Sequence, residues 1–333
     1  MQEQADATTG MVLHRPRSLG ARPMWQWSDI AIAGSLLALL PPSWLLPEPI
    51  WPLLCRAVCR VPGIVGGATL RRTIANIRAA LAGLDPAQAA SVALDLQAAV
   101  YELRMQNLRS WRPGGWQPDI ALRGEEHLVR ALDRGKGAVL WVAHFAFNSG
   151  ITKMALQRRG HRVSHLSRPE HGFSKTRFGI ACLNPVRCVP EDRHIAERIV
   201  YDRNAPSTAM RRMVRVLNAG GIVSITAGAW EGSGLAAGPL LGGTLSLATG
   251  APRLALLTGA DLLPVFSIRD RERRFTTVIE SPVPLSRNGP PAESCGNTAI
   301  EYLARHEPWL RQFPEQWRGW KEWRSPSRSE DRS

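Results

Sequence analysis

An α/β fold, a central and mostly parallel sheet flanked by helices behind an N-terminal helical region, is what this sequence predicts, and three observations predict it. Residues 137–143 (GAVLWVA) and 221–226 (GIVSIT) are short continuous apolar runs, typical of strands buried on both faces. Helical stretches alternate with such runs through the second half of the chain, the order of elements that gives a sheet with helices on both faces. From residue 51 to about residue 111 the pattern is helical, without strands.

Residues 1–24 are polar and irregular and read as a disordered tail. Trp25 and Trp27 then introduce an apolar run at residues 30–40, closed by Pro41-Pro42 and followed by Trp44 and Trp51. The run is shorter than the roughly 20 residues of a spanning helix. The tryptophans bracket it as aromatic residues bracket a membrane interface. A short anchor lying in one leaflet is the favoured reading, and a buried core helix the alternative. Arg56, Arg60, Arg71, Arg72 and Arg78 alternate with apolar positions beyond it, which suits helices lying on an anionic surface. Asp85-Pro86 writes a helix start, a cap followed by a first-turn proline, and this helix runs towards Leu108. Residues 111–115 (WRPGG) break the pattern. The expected organisation is therefore a tail to residue 24, an anchor and helical region over 25–115, an α/β domain over 116–324 and a disordered tail over 325–333. Besides the two apolar runs, strands are expected at 162–166, 186–189, 261–268 and 275–280. Helices are expected at 148–159, at 207–218 with Ser207 as cap, at 249–257 and at 297–313.

The chain has 333 residues and a formal charge of +14, nearly all of its basic residues being arginine. Such an excess points to an anionic membrane surface, acidic substrates or nucleic acid. Only the charge argues for nucleic acid, and no nucleic-acid partner is expected. The five cysteines are odd in number and form no CxxC pair or zinc spacing, so no metal is expected. A reduced, cytoplasm-facing compartment fits them. Cys55 and Cys59, four apart, share a helix face where buried thiols are the usual outcome.

His144 is the most informative single position. It follows the strand at 137–143 directly and precedes a helix, and in α/β folds reacting groups gather at the carboxyl ends of strands. Imidazole is also the side chain best matched to accept a hydroxyl proton near neutral pH. Four blocks follow one another in order: residues 137–145 ending in His144-Phe145, Ser167-Arg168-Pro169, residues 217–225 (LNAGGIVSI), and residues 238–266 beginning at Gly238-Pro-Leu-Leu-Gly242. Together they resemble the bacterial lipid A lauroyl/myristoyl acyltransferase family, part of the wider glycerolipid and lysophospholipid acyltransferases. Residues 72–76 (RTIAN) and 302–309 match the family's ends, so the resemblance covers roughly residues 25 to 324.

The resemblance implies a glycerolipid acyltransferase-like sheet and a monotopic enzyme on the cytoplasmic face of the bacterial inner membrane. It needs no cofactor beyond its co-substrate. In such enzymes a histidine, oriented by an acid five positions later (HX4D/E), deprotonates a hydroxyl or amine of a lipid A precursor, lysolipid or other amphipathic acceptor. That group attacks the thioester of acyl carrier protein or coenzyme A. His144 carries over as the base, and Phe145 and Gly238 stand on the substrate side of their blocks. Arg168, assisted by Arg177, is the expected clamp for an anionic group, because a guanidinium fork matches phosphate oxygens. The acid does not carry over, since the position five after His144 is Ser149. Ser149 and Asn148 remain as polar neighbours of the imidazole; a hydroxyl can fix its tautomer but cannot balance an imidazolium. The family's Asp-Gln after the third block is also missing, which leaves Glu231 as the nearest carboxylate of that loop and a candidate replacement. An accessory, lipid-binding homologue that keeps the fold but has lost turnover is the alternative function. In the C-terminal stretch Trp309, Trp317, Trp320 and Trp323 interleave with Arg311, Arg318, Lys321 and Arg324, and contact with a lipid interface is the favoured reading, with packing on the sheet as the alternative. His161, His165 and His171 show no metal-ligand spacing and are expected to be structural or solvated.

Overall fold

The computed structural model describes residues 11–13, 22–61, 63–202, 205–228, 234–285 and 289–326. Strand β1 (Met11–Leu13) precedes four helices, α1 (Trp27–Leu45), α2 (Trp51–Arg60), α3 (Gly67–Ala80) and α4 (Pro86–Arg109). There follow β2 (Ile120–Arg123), α5 (Glu125–Asp133), β3 (Ala138–Val142), α6 (Asn148–Arg158), β4 (Val163–Ser167), α7 (Pro185–Asp192), β5 (Glu197–Val200), α8 (Pro206–Asn218) and β6 (Ile222–Thr226). The chain continues with β7 (Gly234–Leu240), β8 (Gly243–Ala248), α9 (Gly250–Thr258), β9 (Asp261–Arg269), β10 (Phe275–Ile279) and α10 (Pro291–Gln312).

The central sheet has seven strands in the order β2-β10-β9-β3-β6-β4-β5. All its pairings are parallel except β9 with β10, so the expected mostly parallel sheet is what forms. β3 is buried along its whole length, which is why it reads as an unbroken apolar run rather than an alternating one. A smaller antiparallel sheet, β1-β7-β8, stands apart from it. Its hairpin closes through Leu241 and Gly242, both at positive φ (50° and 71°), as a two-residue hairpin turn requires. The unfavourable conformation of Leu241 is offset by burial of its side chain and by Glu307, whose carboxylate accepts from its N–H at 3.0 Å.

In the helical region Asp85 accepts from the Gln88 N–H at 2.8 Å while the Gln88 side chain accepts from the Asp85 N–H, a reciprocal cap ahead of Pro86. Cys55 and Cys59 are buried as their spacing implied. α1 corrects the sequence reading: it does not stop before Pro41-Pro42 but runs through both to Leu45. The two missing N–H donors fall in the last turns, and the helix is held there from outside. Trp44 Nε1 donates to the Leu108 carbonyl at 2.9 Å, and the Arg109 guanidinium donates to the carbonyls of Ser43 and Leu46.

Two further expectations are corrected. Residues 186–189 are not a strand; they lie in α7, where Pro185 takes the first turn and Arg187 and Glu191, one turn apart, both point inward. A short apolar run fits either period, and here the helical one won. The C-terminal tryptophans do not meet lipid. Trp317, Trp320 and Trp323 are at most 1% exposed, in the same core as β3 and α10. Their indoles are also used inward: Trp320 Nε1 donates to the Pro314 carbonyl and Trp323 Nε1 to the Leu240 carbonyl. The helix expected from Ser207 starts at Pro206 without a side-chain cap.

Candidate active site

β3 delivers His144 to the carboxyl end of the central sheet. The Ala143 N–H donates to the Val265 carbonyl and the Ala227 N–H to the Val142 carbonyl, so the ends of β9, β3 and β6 converge at the histidine. The C-terminal segment then closes over this element. The Ala146 N–H donates to the Gln316 carbonyl at 2.7 Å, the Arg318 N–H donates to the His144 carbonyl at 3.0 Å, and Phe145 pairs with Trp317 as an isolated antiparallel bridge. Gly319 permits the turn that follows, since a Cβ there would lie 2.4 Å from the Trp317 ring. Asn76 of α3 anchors it from behind, its Nδ2 donating to the carbonyls of Trp320 and Trp323.

The resulting open cleft is lined by His144, Ala227, Gly228, Leu245, Ser246, Leu247, His306, Trp317, Gly319 and Glu322. Burial, then the charges of Arg318, Lys321, Arg187 and Arg168, hold the His144 pKa well below the usual imidazole value. Four cations from three places in the chain thus bear on one imidazole: Arg168 after β4, Arg187 on α7, and Arg318 and Lys321 in the C-terminal turn. Burial and the neighbouring Arg187 in turn bring Arg318 down to about 10. His306 lies 5.6 Å from Phe145 between stacked ring planes, and neither of its ring nitrogens has a hydrogen-bond partner among the described residues. Burial lowers its pKa to about 3, so it is neutral at working pH.

The structure sorts the residues singled out in the sequence. His144 and Arg168 come together. Phe145 is fully buried and supports His144 from below rather than facing a substrate. Gly238 lies in β7 and packs against α10, where a Cβ would lie 2.8 Å from the Leu303 side chain. Arg177 is exposed, and its N–H donates to the Pro23 carbonyl; Arg187 and Arg318 are the guanidiniums that act on His144 beside Arg168. Asn148 is buried at the start of α6. Ser149 is neither the helix cap nor a lining of the His144 cleft. It opens on a separate cleft between α4, α6 and α7, and its Oγ accepts from Arg187 Nη2 at 2.8 Å. Glu231 lies outside the described residues.

Behind Ser149 is a charge cluster with no local signal in the sequence. Lys153 of α6 and Glu191 of α7 form an ion pair, both at most 4% exposed. Glu191 also accepts from His171 at 2.7 Å and pairs with Arg198 at 3.1 Å. Burial opposes the Glu191 charge, but Lys153, His171 and Arg187 outweigh it and keep its pKa well below the usual range. Lys153 and Glu191 lie 38 residues apart in the chain, and the inner faces of α6 and α7 meet only in the fold. His161 and His171 are structural partners of Glu125 and Glu191. Among the described residues no group of acidic, His or Cys side chains has the arrangement of a metal site.

No individual curated sequence matches the chain. The model of the bacterial lipid A biosynthesis acyltransferases matches residues 37–322, a span that takes in α2 to α10, the His144 cleft and the C-terminal turn that closes it. The chain belongs to the bacterial lipid A biosynthesis acyltransferase family.

Proposed function

We propose that this protein transfers a fatty acyl group from a thioester of acyl carrier protein or coenzyme A to a hydroxyl or amine of an anionic, amphipathic acceptor, at the cytoplasmic face of the inner membrane. The observation that carries the reading is His144 at the carboxyl end of β3, lining a cleft and bearing the charges of Arg168, Arg187, Arg318 and Lys321. His144 takes the proton of the acceptor hydroxyl as its oxygen attacks the thioester carbonyl carbon. The C–S bond then breaks, and the imidazolium returns the proton to the departing thiolate.

The cations have two effects that oppose each other until substrate arrives. They attract an anionic acceptor or the phosphate of the donor's arm, Arg168 being the clamp. They also disfavour the imidazolium and so weaken the base in the empty site. A bound anion offsets them and raises the histidine's pKa. The site is therefore a better base when occupied, which favours phosphorylated or carboxylated acceptors over neutral ones.

The membrane reading is supported by α1, whose length and composition are those of a spanning helix. Its Leu36, Leu39 and Asp29 are nevertheless buried against the protein, while Trp27, Leu37 and Leu45 are exposed. Such a helix lies in the plane of one leaflet, apolar face outward.

The test is acyl transfer by detergent-purified protein supplied with labelled acyl carrier protein or acyl coenzyme A and a bacterial lipid extract, beside His144→Ala. A labelled lipid formed by the wild type and absent with the variant establishes the reading. Product formed equally by both misplaces the base. The accessory-homologue reading, which the loss of the motif acid at Ser149 favours, gains from an absence of product with every donor.

A further inference from the structure

The base lacks the carboxylate that the resemblance places five residues after it, and Ser149, which stands there, opens on another cleft and is held by Arg187. A carboxylate does line the His144 cleft: Glu322, from the far end of the chain. Its position is fixed by backbone, not by a loose tail. The segment that carries it is tied to the histidine's own element through Ala146–Gln316, His144–Arg318 and the Phe145–Trp317 bridge. It is held from the other side by Asn76 on the carbonyls of Trp320 and Trp323, the residues that flank Lys321-Glu322. The Glu322 N–H donates to the Gly319 carbonyl at 2.9 Å, closing the turn. The flanking tryptophans are buried, so Glu322 projects from a rigid support.

The charges that act on His144 are those of Arg168, Arg187, Arg318 and Lys321, and the titratable groups that line its cleft are His306 of α10, which is neutral, and Glu322. Among the described residues lining the cleft, Glu322 is the one of opposite sign to the cations. Lys321 Nζ stands 3.5 Å from its Oε1, and its charge also acts on Arg318. We infer that Glu322 is the carboxylate partner of His144, supplied by the C-terminal turn in place of the acid missing at position 149. Its carboxylate accepts from the imidazole N–H opposite the nitrogen that receives the acceptor's proton, and balances the imidazolium until that proton passes to the thiolate. The inference rests on the acyl-transfer reading for its chemistry, but the coupling between the two side chains is measurable without turnover.

The experiment follows the titration of His144 by NMR on protein with ring-labelled histidine, its signal identified by loss in His144→Ala, in the wild type and in Glu322→Gln. Acyl transfer and thermal melting are measured on the same samples and on Glu322→Gln/Ser149→Asp. Expected is a fall of the His144 pKa in Glu322→Gln, an unchanged melting temperature, and a loss of about 100-fold in kcat, smaller than the loss seen when a fully buried orienting acid is amidated. The double variant recovers part of that rate, because a carboxylate at position 149 offsets the Arg187 charge that acts on His144. An unmoved titration overturns the inference, whether activity persists or is lost together with melting temperature. A titration that moves with Glu231→Gln and not with Glu322→Gln overturns it as well. If the wild type transfers no acyl group but the titration moves, the pairing stands and the acyltransferase reading falls.

Discussion

Arg187 Nη2 donates to Ser149 Oγ at 2.8 Å, and the guanidinium held in this way is one of the four charges that act on His144. The position of the motif acid is thus occupied by a hydroxyl bound to a cation. Substitution Ser149→Asp places a carboxylate against Arg187, offsetting that charge and returning the acid. A negative neighbour favours the imidazolium, so the His144 pKa rises. The expected outcome is a rise of up to about 10-fold in kcat/KM, one pKa unit of imidazolium stabilisation being about 1.4 kcal/mol, with the acid limb of the pH–rate profile moved to higher pH. A profile that superimposes on that of the wild type refutes the account.

Arg168 is half-buried after β4, and its charge acts on both His144 and Arg318. Its role as anion clamp predicts that Arg168→Gln raises KM for a phosphorylated acceptor by about 10- to 100-fold, the cost of one or two charge-assisted hydrogen bonds at about 1.5–3 kcal/mol. The melting temperature should stay within about 2 °C, since a partly exposed cation contributes little to folding. KM values for a phosphorylated and a neutral acceptor, compared in the same variant, check this. An equal loss for both would assign Arg168 to something other than the anionic group.

The cluster around Glu191 makes the opposite demand. Glu191→Gln leaves Lys153, His171, Arg187 and Arg198 facing one another in the core, and breaking a buried pair on one side costs about 3–5 kcal/mol. Lys153→Met/Glu191→Leu removes both central charges and should recover about half of that loss. Denaturant midpoints of the three proteins decide it. A single variant as stable as the wild type would show that the cluster adds no net stability.

The sequence signals that proved legible were those with a local period. The apolar run before His144, the Asp85-Pro86 start and the alternation of helices with strands each reflect one element's own burial, and each appears as expected. What stayed hidden depends on which elements meet. Val186 and Val189 looked like a strand because four residues fit either period. The helix was decided by Pro185 and by the inward pair Arg187 and Glu191, whose partners lie on α6 and β5. Trp317, Trp320 and Trp323 looked like an interface belt because they alternate with arginines. Their burial follows from α3 and β7 reaching the same turn through Asn76 and the Leu240 carbonyl. The candidate site divides the same way. His144 was readable from its strand, whereas Arg187, Arg318 and Glu322 reach it by tertiary packing.

His306 predicts a specific acid lability. Its folded pKa is about 3 against an ordinary value of 6.5, the cause being burial among aromatic rings. Between those values the unfolded chain binds a proton that the folded chain does not. The stability is therefore complete above pH 6.5 and is lost as pH falls towards about 3, by up to roughly 5 kcal/mol over the full window. His306→Phe has no proton to take up, so its denaturant midpoint should fall less between pH 7 and pH 4.5 than that of the wild type. Equal falls would show that other groups carry the acid sensitivity.

The outer face of the helical region makes the last prediction. Trp27, Leu37 and Leu45 on α1 and Leu53 on α2 are between 65% and 80% exposed, an apolar surface beside the exposed Arg60, Arg71 and Arg72. The inner face is fixed to the body: the carboxylate of Asp29 accepts from the hydroxyls of Ser174 and Thr176, and Arg104 donates to Ser35 Oγ at 2.7 Å. On the proposed membrane reading α1, with one face bound and the other apolar, enters a single leaflet sideways. Burying a leucine in the interface contributes about 1.5–3 kcal/mol at most. The triple variant Leu37→Glu/Leu45→Glu/Leu53→Glu should therefore weaken binding to vesicles containing phosphatidylglycerol by at least about 100-fold. Its circular dichroism and melting temperature should not change, because all three side chains point away from the core. Raising the salt concentration should weaken the wild type less than the triple substitution does, since screening removes the arginine contribution but leaves the apolar one. Co-sedimentation measures both. A triple variant that still sediments like the wild type would mean that another surface meets the membrane.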